Sequence, residues 1–301
     1  MSRVLVIGNA TIDLILPVAS LPAPGETVLA APALRCPGGK GLNQALAASR
    51  LGVPTTFLAP IGDDQDGRFL ADAMASEGLA TEWIASGHAT DLSIVAIADG
   101  GENIIISTAA SARSMTPETA ERAASALQPG EILVLQGNLS EATTAAAHRA
   151  ARSVGVRTIF NTAPIAWDQA KLAADVDVVV ANDGEALHLT GLEGEAAALR
   201  LVELGARAAI VTRGAAPTIL AAEQRVSLLP IAQVDAVDTS GAGDVTVGIL
   251  AAGLAKGLTL EQALKLALSA ASLSVTRHGT SPSFPSASEL AALEIAAFGS
   301  R

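Results

Sequence analysis

The octapeptide Val237-Asp238-Thr239-Ser240-Gly241-Ala242-Gly243-Asp244, followed by a helical run to about Ala255, carries the sharpest chemical signal in the chain. Gly241 and Gly243 let the backbone turn tightly and leave the N–H groups of Gly241, Ala242 and Gly243 unobstructed where a helix starts. Bare amides and the positive end of the helix dipole together make an anion site. Asp244 falls in the first helical turn beside it. A carboxylate next to an anion site costs energy unless it has a task, and accepting the proton of an attacking hydroxyl is such a task. Asp is a weak base, with an ordinary pKa of about 3.9. Phosphoryl transfer, with its loose transition state, asks little of its base. A glycine turn ahead of a helix with an acidic first turn is the other reading of the same residues.

Three further clusters have useful chemistry. Pro37-Gly38-Gly39-Lys40-Gly41-Leu42-Asn43 also opens a helix. It is not a Walker A loop, because Gly41 follows Lys40 where Ser or Thr should stand. The paired glycines Gly38 and Gly39 permit close backbone approach, and Lys40 and Asn43 lie one turn apart on one face, which suits a polyhydroxyl or phosphate group. A tight loop with a solvated lysine fits the same residues. Gly8-Asn9-Ala10-Thr11-Ile12-Asp13 follows the first strand without the Gly-x-Gly-x-x-Gly spacing, which counts against a nicotinamide-dependent oxidoreductase. Asp13 has two oxygens that can accept from two hydroxyls, or it simply forms the turn. Asn182-Asp183-Gly184-Glu185 follows a strand; its oxygens suit Mg²⁺ held together with nucleotide phosphates, and equally suit a helix cap. The four histidines are scattered without metal-ligand spacing, Cys36 reads as a small buried hydrophobe, and no Gly-x-Ser-x-Gly elbow occurs.

These residues need elements to hold them. The spacing predicts strands at Val4–Ile7, Thr56–Ile61, Ile132–Leu135, Val156–Phe160, Val176–Val180 and Ala208–Thr212. Helices are expected from Gly39 to the stop at Gly52 and Pro54, over Asp66–Glu77, from Thr116-Pro117 to Leu127, and over Glu141–Ser153 and Glu195–Leu204. The strands are unbroken aliphatic runs rather than alternating ones, as in parallel sheets covered on both faces. The fold class expected is α/β, a three-layer, doubly wound, mostly parallel sheet. Residues about 11–36, rich in Pro and Gly, and about 90–108, with two strands around Asp99-Gly100-Gly101, break the pattern and are expected to form a small β-sheet lid. The whole chain, 1–301, reads as one domain.

Half of the 301 residues are apolar, so a large core is available and global disorder is excluded. Aromatics are 2%, with no Tyr, so aliphatic residues and Ala must fill that core. A net charge of −11 makes nucleic acid and anionic membrane surfaces poor partners. One cysteine excludes an intrachain disulfide and Cys-rich metal sites, and no run is long enough for a secretory or membrane segment. A cytoplasmic protein is the expectation.

In their order and spacing the motifs resemble the ribokinase-like (PfkB) family of carbohydrate kinases, its ribokinase branch above all. The resemblance spans nearly the whole length. It runs through Ile12-Asp13-Leu14, Pro24-Gly25-Glu26-Thr27, Gly38-Gly39-Lys40-Gly41 with Asn43-Gln44-Ala45, Ile61-Gly62-Asp63-Asp64 and Gly101-Glu102-Asn103. It continues through Asn161 with Ala163-Pro164, Asn182 with Glu185, Thr212 with Gly214, Asp238 to Asp244, and Arg277-His278-Gly279 with Pro282-Ser283.

The resemblance implies ATP-dependent phosphorylation of a sugar's primary hydroxyl, and a lid that pairs two subunits into a homodimer. It implies Asp244 as catalytic base and Gly241, Ala242 and Gly243 as the anion hole. Asp13, Gly39, Lys40 and Asn43 would contact the sugar. Asn182 and Glu185 would mark the phosphate and Mg²⁺ region, with Thr212 and Gly214 on the nucleotide side. Asp238, Ser240, Gly279 and Ser283 would hold an activating K⁺, largely through carbonyls. Two sugar-side positions depart from the ribokinase pattern: Thr11 stands where an Asn is usual and Asn138 where a Glu is. Val245-Thr246-Val247 and Ala109-Ala110-Ser111-Ala112-Arg113 depart too, without touching the proposed chemistry. A ketohexose, a sugar acid or a nucleoside therefore stays open as acceptor, as does a non-catalytic sugar or nucleotide sensor on the same fold.

Overall fold

Val4-Leu5-Val6-Ile7 has no polar side chain, so neither face of the strand it forms tolerates water. In the structure, a computed structural model that describes residues 2–100 and 102–299, this strand, β1 (Val4–Ile7), is flanked by parallel neighbours on both sides. The chain goes out to a smaller sheet as β2 (Thr11–Val18) and β3 (Leu34–Gly38). It returns through α1 (Lys40–Arg50), β4 (Thr55–Ile61), α2 (Gln65–Ser76) and β5 (Ala80–Ala85), then leaves again as β6 (Asp91–Ala98) and β7 (Asn103–Ser107). Helices α3 (Ala110–Arg113) and α4 (Pro117–Ser125) lead to β8 (Ile132–Gln136). Strand and helix then alternate through α5 (Glu141–Ser153), β9 (Arg157–Asn161), α6 (Ala170–Ala173), β10 (Val178–Asn182), α7 (Asp183–Thr190), α8 (Gly194–Leu204) and β11 (Ala208–Arg213). A hairpin of β12 (Ala216–Ala222) and β13 (Arg225–Leu229) precedes α9 (Ala242–Ala255), α10 (Leu260–Ser274) and α11 (Ala287–Phe298).

The large sheet has the order β13-β12-β11-β10-β9-β8-β1-β4-β5, parallel from β11 to β5, with antiparallel pairing only at β12 and β13. Each strand feeds two cores. Val4, Val6, Phe57, Ile132 and Val134 pack with α1, α9 and α10. Leu5, Ile7, Leu58, Leu133 and Leu135 pack with α4, α5 and α8. Burial on alternate faces of the same strands is what makes three layers, as the unbroken aliphatic runs require. Beyond β1 the chain first adds β4 and β5 on one side and then crosses to β8 on the other. That crossover makes a switch point, and in open α/β sheets the crevice at the strands' carboxyl ends there is where ligands bind.

The smaller sheet, ordered β3-β2-β6-β7, is built from the two segments expected to form a lid, with β3 running two residues beyond the first of them. Arg35 on β3 ties it to α2, pairing with Asp66 and lying 4.4 Å over the Phe69 ring. In the turn between β6 and β7, Gly101 lies outside the described residues. Most boundaries shift by one residue at an end, and two differ by more. The tenth strand pairs from Val178 rather than Val176, because Asp177 turns its carboxylate to the Thr158 N–H. Helix α4 ends at Ser125 rather than Leu127, since Ala126 and Leu127 close it with tight bonds to the carbonyls three residues back.

Candidate active site

Helix α9 is buried along almost its whole length, and a side chain at Gly248 would stand 2.4 Å from the Gln44 carbonyl oxygen. That close crossing sets the first turn of α9 against the first turn of α1. There Asp244, buried, accepts from Asn43 Nδ2 at 3.0 Å on Oδ2 and from Gln44 Nε2 at 3.0 Å on Oδ1. Asp244 also lines a cavity of about 430 Å³, a size suited to a small-molecule ligand. Of the residues singled out in the sequence, Lys40, Asn182, Glu185, Thr212, Gly214, Gly241, Ala242, Gly243 and Asp244 all line it. Much of its remaining wall is apolar, including Val180, Ile231, Val234, Leu268 and Val275. The hydroxyls of Thr218 and Ser272 on the same wall are buried without a partner, which leaves hydrogen-bonding capacity for a bound molecule.

The glycine turn differs in detail from expectation. Gly241 sits at φ +80°, and a Cβ there would stand 2.7 Å from the Phe284 ring, so this position requires glycine. Gly243 has no such requirement: a Cβ would meet nothing within 4 Å, and its missing side chain simply leaves the cavity open at the helix start. The Ala242 N–H is already engaged, donating to the Thr239 carbonyl at 3.3 Å, so Ala242 enters an anion hole only by sharing that bond. With no side chain capping the helix, Gly243 and Asp244 present their N–H groups there instead.

Thr11, Asp13, Gly39, Asn43 and Asn138 are not among the cavity's lining residues; Thr11 and Asp13 at the start of β2, with Gly39 packed against the Thr11 N–H, make a second pole. Asp13 is buried and accepts from Thr11 Oγ1 at 2.8 Å and from Thr280 Oγ1 at 3.4 Å. Burial pushes its carboxyl up to about 6, with the charge of Asp244 acting in the same direction and the hydroxyls against it. Asn43 Oδ1 and Asn138 Oδ1 are buried without a donor. Asn43 joins the poles, since its amide holds Asp244.

Glu185 satisfies the helix-cap reading and still faces the cavity. It completes a capping box with Asn182, and its carboxylate accepts from the Asn182 N–H, from Asn182 Nδ2 and from Thr162 Oγ1. Among the described residues no cluster of three or more His, Cys, Asp or Glu is placed to hold a metal. The loop residues Asp238, Ser240, Gly279 and Ser283 come together: Asp238 accepts from the N–H groups of Ser240 and Gly279 at 2.9 Å, and Ser283 bonds Thr280 O. The Ser240 hydroxyl is buried without a partner. Cys36 lies beside Asp13, its thiol pushed up to about 11 by burial, and so is no nucleophile. His148 bonds Thr158 and Asp175 and serves the fold.

Sequence reasoning gave no role to Gln44, Gln136, Asn161, Thr162, Thr218, Ser272 or Thr280, all of which the fold brings to the site.

A model of the pfkB family of carbohydrate kinases matches residues 1–287. The ribokinase of Mus musculus is 32% identical over 297 residues, covering 94% of this chain and 92% of that protein. A deoxyribokinase of Salmonella typhi is 33% identical over 293 residues, covering 93% and 95%. Among solved structures, Arabidopsis thaliana ribokinase complexed with ribose and ATP matches with a TM-score of 0.83 at 26% identity, covering 98% of this chain and 99% of that one.

Proposed function

The chain belongs to the pfkB family of carbohydrate kinases, and from that premise we propose an ATP-dependent kinase that moves the γ-phosphate to a primary hydroxyl of a small sugar. One observation carries the reading: a buried carboxylate, Asp244, held on both oxygens, lines a cavity beside free amides at a helix start. Asp244 takes the hydroxyl proton as that oxygen attacks the γ-phosphorus in line, the bond from that phosphorus to the β,γ-bridging oxygen breaks, and ADP leaves with the electron pair. The amides of Gly241, Gly243 and Asp244, with Ala242 sharing its bond, offset charge growing on the equatorial oxygens. Thr212 and Gly214 would flank the nucleotide. Lys40, between the poles, would meet either the sugar or the travelling phosphoryl group.

The sugar belongs in the second pole, where Asp13, Asn43 and Thr11 offer mainly acceptors to hydroxyl donors, with Gly39 supplying backbone; the unpartnered Asn138 Oδ1 would be a further acceptor. Ribose is the first candidate, from the mouse and Arabidopsis relatives. A deoxyribose is the second, favoured by the Salmonella deoxyribokinase relative and by Asn138 standing where a carboxylate is usual. Glu185, its oxygens already holding three donors, fits an acceptor for Mg²⁺-bound water better than a direct ligand; the metal would lean on the nucleotide phosphates. The metal's positive charge would offset that of the phosphates. The orphaned Ser240 hydroxyl and the Asp238 carboxylate, which ties the turns of Ser240 and Gly279 together near Ser283, would suit a K⁺ ion. We read residues 1–301 as one domain with the small sheet as lid, working as a homodimer in the cytoplasm. Among the described residues no helix is long and apolar enough to cross a membrane.

The test is ADP release from the wild type and Asp244→Asn over pentoses, deoxypentoses, hexoses, sugar acids and nucleosides, with and without K⁺. The variant should lose about 10³-fold or more in kcat while nucleotide affinity holds. Unchanged turnover would remove Asp244 from the reaction. Sugar binding without ADP release across the panel would favour a sensor.

A further inference from the structure

We infer that Gln44 is the positioning residue that aims the Asp244 carboxylate, through a side-chain amide whose orientation is fixed from the central sheet; the inference rests on Asp244 being the base. Gln44 is fully buried and is not part of the cavity wall, so it acts through its neighbours. Its Nε2 donates to Asp244 Oδ1 at 3.0 Å and to Asn161 Oδ1 at 3.2 Å, while its Oε1 accepts from Gln136 Nε2 at 2.8 Å. Both amide hydrogens and one lone pair are thereby committed.

Only one orientation of that amide works. Turned over, Gln44 would set oxygen against the Asp244 carboxylate and nitrogen against the Gln136 amide, two like contacts in a buried site. The working orientation comes from the sheet. Gln136 and Asn161 are register partners at the carboxyl ends of β8 and β9. Asn161 is itself oriented by donating Nδ2 to Val180 O at 3.2 Å, so its oxygen must face Gln44. The chain of bonds runs from two adjacent strands, through the first turn of α1, to the first turn of α9. Asn43, the next residue on α1, holds the other oxygen of Asp244. Two donors on successive residues of one helix stop the carboxylate from rotating and keep it aimed at the cavity it lines. Misaiming a reacting group by about 1 Å can cost about 10²-fold in rate.

The test measures kcat, and KM for sugar and for ATP, in Gln44→Leu, Gln136→Leu, the double variant and Asp244→Asn, with nucleotide-binding stoichiometry by calorimetry to count folded sites. Gln44→Leu should lose about a hundredfold in kcat per site with both KM values within about twofold. Gln136→Leu, which touches neither Asp244 nor the cavity, should lose about tenfold. The double variant should be no slower than Gln44→Leu alone, because Gln136 acts only through Gln44. A merely structural role would lower the number of competent sites, leave kcat per site intact and add in the double variant; either result overturns the inference. A full kcat in Gln44→Leu beside a collapsed Asp244→Asn overturns the positioning role and leaves the base in place. Full activity in Asp244→Asn overturns both. Should Gln44→Leu fail to fold, Gln136→Leu decides alone, and an unchanged kcat there sinks the proposal.

Discussion

Asp13 is a buried carboxylate whose neighbours are hydroxyls and the like charge of Asp244. Its ionised form is therefore disfavoured in the folded protein, with the pKa raised from 3.8 to about 6. A raised acid pKa means that the folded chain holds the proton more tightly than the unfolded one. Stability from this residue is thus complete below about 3.8 and is lost as pH climbs through about 6. The roughly two-unit shift corresponds to at most about 3 kcal/mol. Asp13→Asn should accordingly be more stable than the wild type at pH 8, by up to about 3 kcal/mol in urea unfolding, and no more stable at pH 3.5. The same variant should bind sugar far more weakly, since a neutral amide is a poorer acceptor for paired hydroxyls. Equal stability at both pH values would show that Asp13 is not destabilised by its burial. A gain in stability coupled to a loss of binding is what a site residue, rather than a turn former, predicts.

At the level of elements, the two glycines before Asp244 do different work, and alanine separates them. Gly241→Ala forces an L side chain to φ +80° against the Phe284 ring, so it should cost about 1–2 kcal/mol or more in folding stability. Gly243→Ala lies in a helix with open space around the new methyl, and should gain about 0.5–1 kcal/mol. Yet that methyl enters the cavity at the helix start, so kcat/KM for ATP should fall about tenfold or more; thermal melts and ATP kinetics on the pair check both signs. The turn and its helix were legible because glycine and acidic residues at a helix start leave a local signature. The same holds for the aliphatic strands and for α5, whose limits Glu141–Ser153 match expectation. The hairpin of β12 and β13 was not legible: its turn places Glu223 and Gln224 at positive φ without the usual Asn-Gly. Helix α10 carries a start signal in the sequence, the capping box of Thr259 and Gln262, but no strand next to it to mark it as part of the alternation. The amides around Asp244 leave no spacing to read, since Gln44 meets Gln136, Asn161 and Asp244 across 92, 117 and 200 residues. Such contacts exist only once the strand order is known.

Across the whole molecule, the small sheet is the surface that a single chain leaves unfinished. Ile104, Ile105 and Ile106 on β7 are 42%, 57% and 66% exposed, and Leu34 on β3 is 56% exposed. β3 and β7 are both edge strands, so apolar exposure coincides with unpaired backbone, a combination that invites association. With a net charge of −11, copies repel one another in general, so association has to run through a patch free of acidic residues. The register says what such a contact would do. Asp13 pairs with Ser93, Ile15 with Val95 and Val95 with Ile105, so Asp13, Ile15, Val95 and Ile105 fall at the even spacing that shares one face. The face bearing the sugar-side carboxylate thus continues into exposed Ile105, while Ile104 and Ile106 point to the opposite face. A second copy packed on that face would shield the sugar pole from water and leave the nucleotide cavity, which lies against α9 and α10, as it is. Ile105→Asp should then turn a dimer into a monomer in sedimentation velocity and raise KM for the sugar several-fold, with KM for ATP unchanged. A monomeric variant with an unaltered sugar KM would separate assembly from catalysis, and a wild type that sediments as a monomer at micromolar concentration would leave the lid to close by itself.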